Sequence, residues 1–157
     1  MTMFVNTLQD VLAAGYDARF CASGHSMIPT IRSGEFVHVT RCDEESLRVG
    51  DVVLTAAPRG LTAHRIIELD ATRGELRVRT RGDNSLTADA IVAGSAVLGR
   101  ISGVERDGRC AAVDSRGALT QQALAVLRRV RHSLQRRFGR ATSNGIPETA
   151  QVRALSV

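Results

Sequence analysis

The chain has 157 residues, enough for one domain with a buried core, and its 43% hydrophobic and 24% charged residues are ordinary for a globular protein. No stretch approaches the run of about 18 apolar residues that a membrane-spanning helix needs, and the N-terminus lacks the basic start of a secretory signal, so we expect a cytoplasmic protein. The net charge is +5, and because all 21 basic residues are arginines, chemistry that requires a lysine is excluded.

The first predicted element is a short helix over residues 3–14. Its apolar residues recur at helical spacing, and Gly15 follows where a glycine commonly ends a helix. From about residue 20 to residue 106, glycines and prolines separate short runs rich in valine, isoleucine, threonine and leucine, a pattern typical of strands. The predicted strands are 36–40, 51–56, 61–69, 75–80 and 95–106, the last with a bend at Gly99 or Gly103. The fold class is therefore mainly β.

The C-terminal part of the chain carries the excess positive charge, since residues 113–157 contain eight arginines and two acidic residues. Residues 117–139 are predicted to form an amphipathic helix with a basic back. Its apolar face packs on the β core or lies on an anionic membrane surface as a peripheral contact, or its basic face binds an acidic partner. We therefore divide the chain into a folded domain over 1–112, a basic helix within 113–140 and a disordered tail over 141–157.

The three cysteines are an odd number at wide spacing. Cys21, Cys42 and Cys110 form no CxxC pair, so the sequence predicts neither a disulfide framework nor a zinc site, and nothing in it indicates a cofactor. Cys21 lies close to Ser26 in sequence. It is either a rival nucleophile or an ordinary small strand residue.

Residues 24–30 read GHSMIPT and present Ser26 as a candidate nucleophile. Gly24 permits a backbone conformation closed to other residues, and Pro29 restricts φ, so the serine lies in a stiff segment of the kind that a nucleophile needs. The alternative is a solvated serine in a turn between strands. A serine hydroxyl also needs a base within hydrogen-bonding reach.

Without lysine, the base is a histidine or, less plausibly, a carboxylate. His25 is the neighbour of Ser26, but adjacent side chains of an extended backbone point to opposite faces. His132 falls on the basic face of the predicted C-terminal helix, and the alternative for His38, within the predicted strand 36–40, is a side chain that faces solvent. His64 is the best candidate, because it projects from the predicted strand 61–69 and imidazole exchanges protons near neutral pH. The alternative interpretation of His64 is likewise a surface histidine on a strand.

A histidine base usually has its second ring nitrogen held by an acceptor. The segment RGDNSLTAD offers Asp83 and Asp89 for this purpose. Gly82, Asp83 and Asn84 taken alone are typical of an ordinary turn.

Several segments together resemble the type I signal peptidase family. In order and spacing these are GHSMIPTIRSGEFVHV, VGDVVL, AHRI, RGDNSLTAD and VLGRI, which span about residues 20–106. Bacterial members carry lysine at the place of His64. The archaeal and endoplasmic-reticulum type carries histidine there, with an aspartate six residues after the first aspartate of the glycine-aspartate-asparagine box, as Asp89 follows Asp83 here.

The resemblance implies a serine endopeptidase with Ser26 as nucleophile, His64 as general base, Asp89 as orienting acid and Asp83 as a supporting residue of the site. It implies a mainly β fold shared with LexA-like repressors, and a peptide or protein substrate cleaved after small residues.

The chain departs from the family at Gly24, where members tend to carry a hydroxyl that assists the oxyanion hole. Ser23 and Thr30 are the candidate replacements. The chain also lacks the membrane anchor of the family, which leaves a soluble leader substrate or peripheral membrane contact.

Two other functions remain open at this stage. One is a catalytically inactive β scaffold that binds peptides, in which Ser26 and His64 would lie beyond hydrogen-bonding reach. The other is a nucleic-acid regulator, suggested by the arginine-rich helix. The sequence argues against nucleic acid as a partner, because aromatic content is 3% and no helix-turn-helix is recognisable.

Overall fold

A computed structural model describes residues 2–57, 60–71 and 74–113. One helix, α1 (Thr2–Ala13), precedes the strands β1 (Ala18–Cys21), β2 (Phe36–Thr40), β3 (Val52–Ala57), β4 (Gly60–Asp70), β5 (Arg77–Arg81), β6 (Val92–Ala93), β7 (Val97–Arg106) and β8 (Arg109–Ala112). Short 3-10 turns lie at Glu44–Ser46 and Gly94–Ala96. The fold class is mainly β, as predicted.

The strands form one curled antiparallel sheet in the order β1-β2-β7-β3-β4-β5-β6. Strand β7 lies at its centre: β2 pairs along one side, while β3 and then β8 pair along the other. The register of β7 shifts beside both glycines at which a bend was predicted, against β3 near Gly99 and against β2 near Gly103. These irregularities are β-bulges, which increase the local twist of a sheet.

Each face of the sheet carries an apolar cluster. The larger apolar cluster lies between the sheet and α1 and contains Leu12 of the helix together with Val52 and Leu54 of β3. The smaller cluster, on the opposite face, contains Val53. Successive residues of β3 enter different clusters because side chains alternate across a strand.

The predicted helix and all five predicted strands are present with small shifts at their ends. Gly15 ends α1 as predicted: its φ is +86°, its N–H bonds to the carbonyl of Leu12, and the Tyr16 N–H bonds to that of Val11. Strands β1, β6 and β8 were missed as separate elements, since runs of two to four residues carry too little periodicity to detect.

The predicted helix over 117–139 and the tail over 141–157 lie outside the described residues, as does His132. Nothing in the described part of the chain is a helix with both the length and the apolar character to cross a membrane.

Candidate active site

Ser26 lies in the loop between β1 and β2, where its residue surface is exposed. The loop turns at Gly24, whose φ of +95° is the left-handed conformation that glycine adopts without strain. The carbonyl oxygen of Ser26 accepts a 2.7 Å hydrogen bond from the N–H of Asn84. Backbone hydrogen bonding therefore attaches the serine loop to the loop that follows β5.

Gly82 makes this attachment possible. A Cβ atom at this position would lie 2.6 Å from the carbonyl oxygen of Ser26 and 2.9 Å from its Cβ. Real Cβ atoms do not approach other atoms so closely, so only glycine lets the two loops meet. The ordinary-turn interpretation of Gly82, Asp83 and Asn84 is therefore incomplete, because this turn packs directly on the candidate nucleophile.

His64 lies on β4, opposite Val53 of β3, and its side chain is 11% exposed. Its Nε2 atom is 2.9 Å from the hydroxyl oxygen of Ser26, and its Nδ1 atom is 2.6 Å from a carboxylate oxygen of Asp89. An ionised carboxylate can only accept, so Nδ1 carries the hydrogen. The lone pair of Nε2 is then directed at the Ser26 hydroxyl, which donates to it.

Asp89 is held in turn by β5. The Thr80 hydroxyl donates to the carboxylate oxygen that receives His64, at 2.7 Å, and the backbone N–H of Asp89 donates to the Thr80 carbonyl at 2.8 Å. The Asp89 side chain is 37% exposed, whereas Thr80 is buried. A buried strand residue thus fixes the position of a carboxylate at the surface.

Asp83 lies outside this hydrogen-bonded row. Its carboxylate accepts from Nε and Nη2 of Arg65, both at 2.8 Å, and from the hydroxyl of Thr30. Arg65 also donates to the carbonyl of Gly50 at 2.6 Å. The Arg65 and Asp83 side chains are only 5% and 2% exposed. This buried ion pair joins the strand that carries His64 to the loop that carries Asp89.

The rival candidates occupy other environments. His25 is exposed, and its backbone carbonyl, rather than its ring, accepts a hydrogen bond, from Asn84 at 3.2 Å. The ring of His38 lies 2.6 Å from Glu105, on the β2–β7 part of the sheet. Hydrogen bonds from Arg19 and then from His38 lower the pKa of Glu105 to about 2.

Neither Cys21 nor Cys42 has a histidine partner among its described contacts. Cys21 is exposed and its thiol faces the carbonyl of Ala22 at 3.9 Å. Burial raises the pKa of the Cys42 thiol, which disfavours the reactive thiolate. Within the described residues, only Ser26 among the proposed nucleophiles is bonded to a histidine that is itself bonded to a carboxylate.

A cleft of about 370 Å³ opens beside Ser26 and His64. Its walls come from the end of β1 and the following loop, and from residues 61–63 of β4. Of the two hydroxyls considered for the oxyanion hole, that of Thr30 is engaged with Asp83, whereas Ser23 lines the cleft. Of these two residues, Ser23 is the one that borders the cleft.

Among the residues that the structure describes, no three His, Cys, Asp or Glu side chains are grouped so as to hold a metal ion. No protein-family model matches the chain, and a comparison with curated proteins finds no significant sequence match.

Proposed function

We propose that this protein is a serine endopeptidase in which Ser26 is the nucleophile, His64 the general base and Asp89 the residue that orients the base. The observation that carries the proposal is the continuous row of hydrogen bonds from Ser26 through His64 to Asp89 at the edge of an open cleft. The three side chains come from the β1–β2 loop, β4 and the β5–β6 loop. The serine donates to the histidine and the histidine donates to the carboxylate, which is the order of hydrogen bonds that acyl transfer requires.

The reaction follows from these contacts. The Ser26 hydroxyl oxygen attacks the carbonyl carbon of the scissile bond while its proton passes to Nε2 of His64. Asp89 stabilises the imidazolium, which then donates the proton to the departing amine and leaves an acyl-serine. Water, deprotonated by His64, hydrolyses that ester. We assign the Ser23 hydroxyl as a donor to the oxyanion of the tetrahedral intermediate.

Unpaired strand edges support a peptide as the substrate. Strand β5 pairs with β4 only from Arg65 onwards, so Leu61–Ala63 have no strand on that side within the described residues. Strand β1 is the terminal strand of the sheet. Residues of both strands line the cleft, where an extended peptide can add its backbone to these edges. Cleavage after small residues rests on the resemblance to type I signal peptidases.

The test is cleavage of a leader-like peptide by the wild-type chain and by the Ser26→Ala and His64→Ala variants. Each variant should lose at least about a thousandfold in kcat while retaining the thermal unfolding transition of the wild type. Cys21→Ala is the matched control, because it changes a cleft residue without changing the hydrogen-bonded row, and it should remain active. Wild-type activity in Ser26→Ala would refute the proposal. Peptide binding without Ser26-dependent cleavage would favour the inactive scaffold.

A further inference from the structure

Arg32 is the one permanently charged residue among the described residues that line the cleft, and no carboxylate lines it. The remaining lining residues are apolar, small or hydroxyl-bearing, apart from His64. Arg32 is also exposed, so its guanidinium is accessible to a molecule bound in the cleft. A charge at the edge of low-dielectric walls exerts a stronger field than the same charge on an open surface.

The carboxylate of Glu35, which accepts from the backbone N–H of Arg32, is bound by the side chain of another arginine. Arg106 donates to its two oxygens at 2.5 Å from Nε and 3.1 Å from Nη2, while Arg32 reaches it through its backbone N–H at 2.8 Å. The hydrogen bond from Arg106 is the main reason that the pKa of Glu35 is lowered, and the Arg32 side chain contributes only through its charge. Glu35 therefore does not bind the guanidinium of Arg32.

Three arginines of the sheet contrast with Arg32, which lies in the loop between β1 and β2. Arg19, Arg65 and Arg106 each donate two hydrogen bonds to a carboxylate within the protein. Arg32 makes no such bond with any described residue, and it is the one that faces the cleft. A guanidinium presents a planar pair of donors that matches a carboxylate, so a guanidinium that lines a binding cleft without a hydrogen bond to a carboxylate of the protein favours an acidic ligand.

We propose that Arg32 is a specificity-determining residue that selects substrates with an aspartate or glutamate at the position reaching it. This proposal rests on the proposed function, because it assumes that the cleft binds the substrate of Ser26. It adds a substrate class, acidic peptides, that the resemblance to signal peptidases does not imply.

The experiment uses matched peptides with a central pair of alanines, in which one flanking position at a time carries glutamate or glutamine. Cleavage by the wild type is measured as kcat/KM, and binding is measured by fluorescence anisotropy with the non-cleaving Ser26→Ala variant. At one flanking position, kcat/KM should be about fivefold higher for glutamate than for glutamine, which is the ratio expected of an exposed ion pair. The preference should decrease as salt is raised, because salt screens exposed charges.

The Arg32→Gln variant should lose this preference, so that its kcat/KM values for the glutamate and glutamine peptides become equal, and Arg32→Glu should favour a lysine peptide at the same position. Arg109→Gln is the matched control, since it removes an exposed arginine of β8 that does not line the cleft. Cleavage that depends on Ser26 but shows no glutamate preference would overturn this proposal and leave the proposed function standing. Absence of both binding and cleavage would overturn both.

Discussion

Replacing Asp83 with alanine removes the carboxylate that neutralises the buried guanidinium of Arg65. In the native protein that guanidinium makes two 2.8 Å bonds to Asp83 and lies almost out of contact with water. After the substitution, the guanidinium still donates to the carbonyl of Gly50 and, at 3.4 Å, to the hydroxyl of Thr30, but these two acceptors carry no charge. Removing one partner of a buried ion pair costs about 3–5 kcal/mol, a large share of the ~5–15 kcal/mol that stabilises a typical domain.

Urea denaturation at neutral pH measures this loss as a shift of the unfolding midpoint. Asp89→Ala is the matched control, because that carboxylate is 37% exposed and should contribute about 1 kcal/mol or less to stability. The order of the two variants should reverse in a cleavage assay. Asp89→Ala removes the partner of the base and should lose more activity than Asp83→Ala, measured where both are folded.

A third variant separates charge from packing. The double substitution Arg65→Met with Asp83→Leu removes both charges and should be more stable than Asp83→Ala, because apolar side chains of similar volume replace an ion pair without leaving a charge unpaired. The reasoning would be refuted if Asp83→Ala unfolded at the wild-type urea concentration yet abolished cleavage. That result would place Asp83 in the chemistry instead of in support of it.

Two further outcomes are expected. Gly82→Ala should reduce kcat/KM about a hundredfold with a smaller effect on folding, because its Cβ would displace Ser26 by several tenths of an ångström. Unchanged kinetics would show that Gly82 does not pack against Ser26. Glu105→Gln tests how the stability of the fold depends on pH below neutrality. The folded-state pKa of Glu105, about 2, lies below its ordinary value of 4.5, so its contribution is present above pH 4.5 and is lost as the pH falls towards 2. Unfolding midpoints of wild type and variant should therefore differ near neutrality and converge in acid, and a constant difference would contradict this account.

Much of the fold could be predicted because its signals are local. The amphipathic spacing of α1, the glycine that ends it and the runs of branched residues in five strands all act within a few residues. The missed strands β1, β6 and β8 are short and are stabilised by the neighbours with which they pair. Their formation is a property of the sheet more than of their own residues.

By itself, the sequence determined which residue types were available: a serine in a stiff turn, four histidines, no lysine and two aspartates in one short segment. Only the tertiary structure decided how they combine, because the contact between Ser26 and His64 joins residues 38 apart and depends on the curling of the whole sheet. The same holds for the aspartates. Asp83 and Asp89 are six residues apart and chemically alike, yet the path of the loop directs one to a buried arginine and the other to His64.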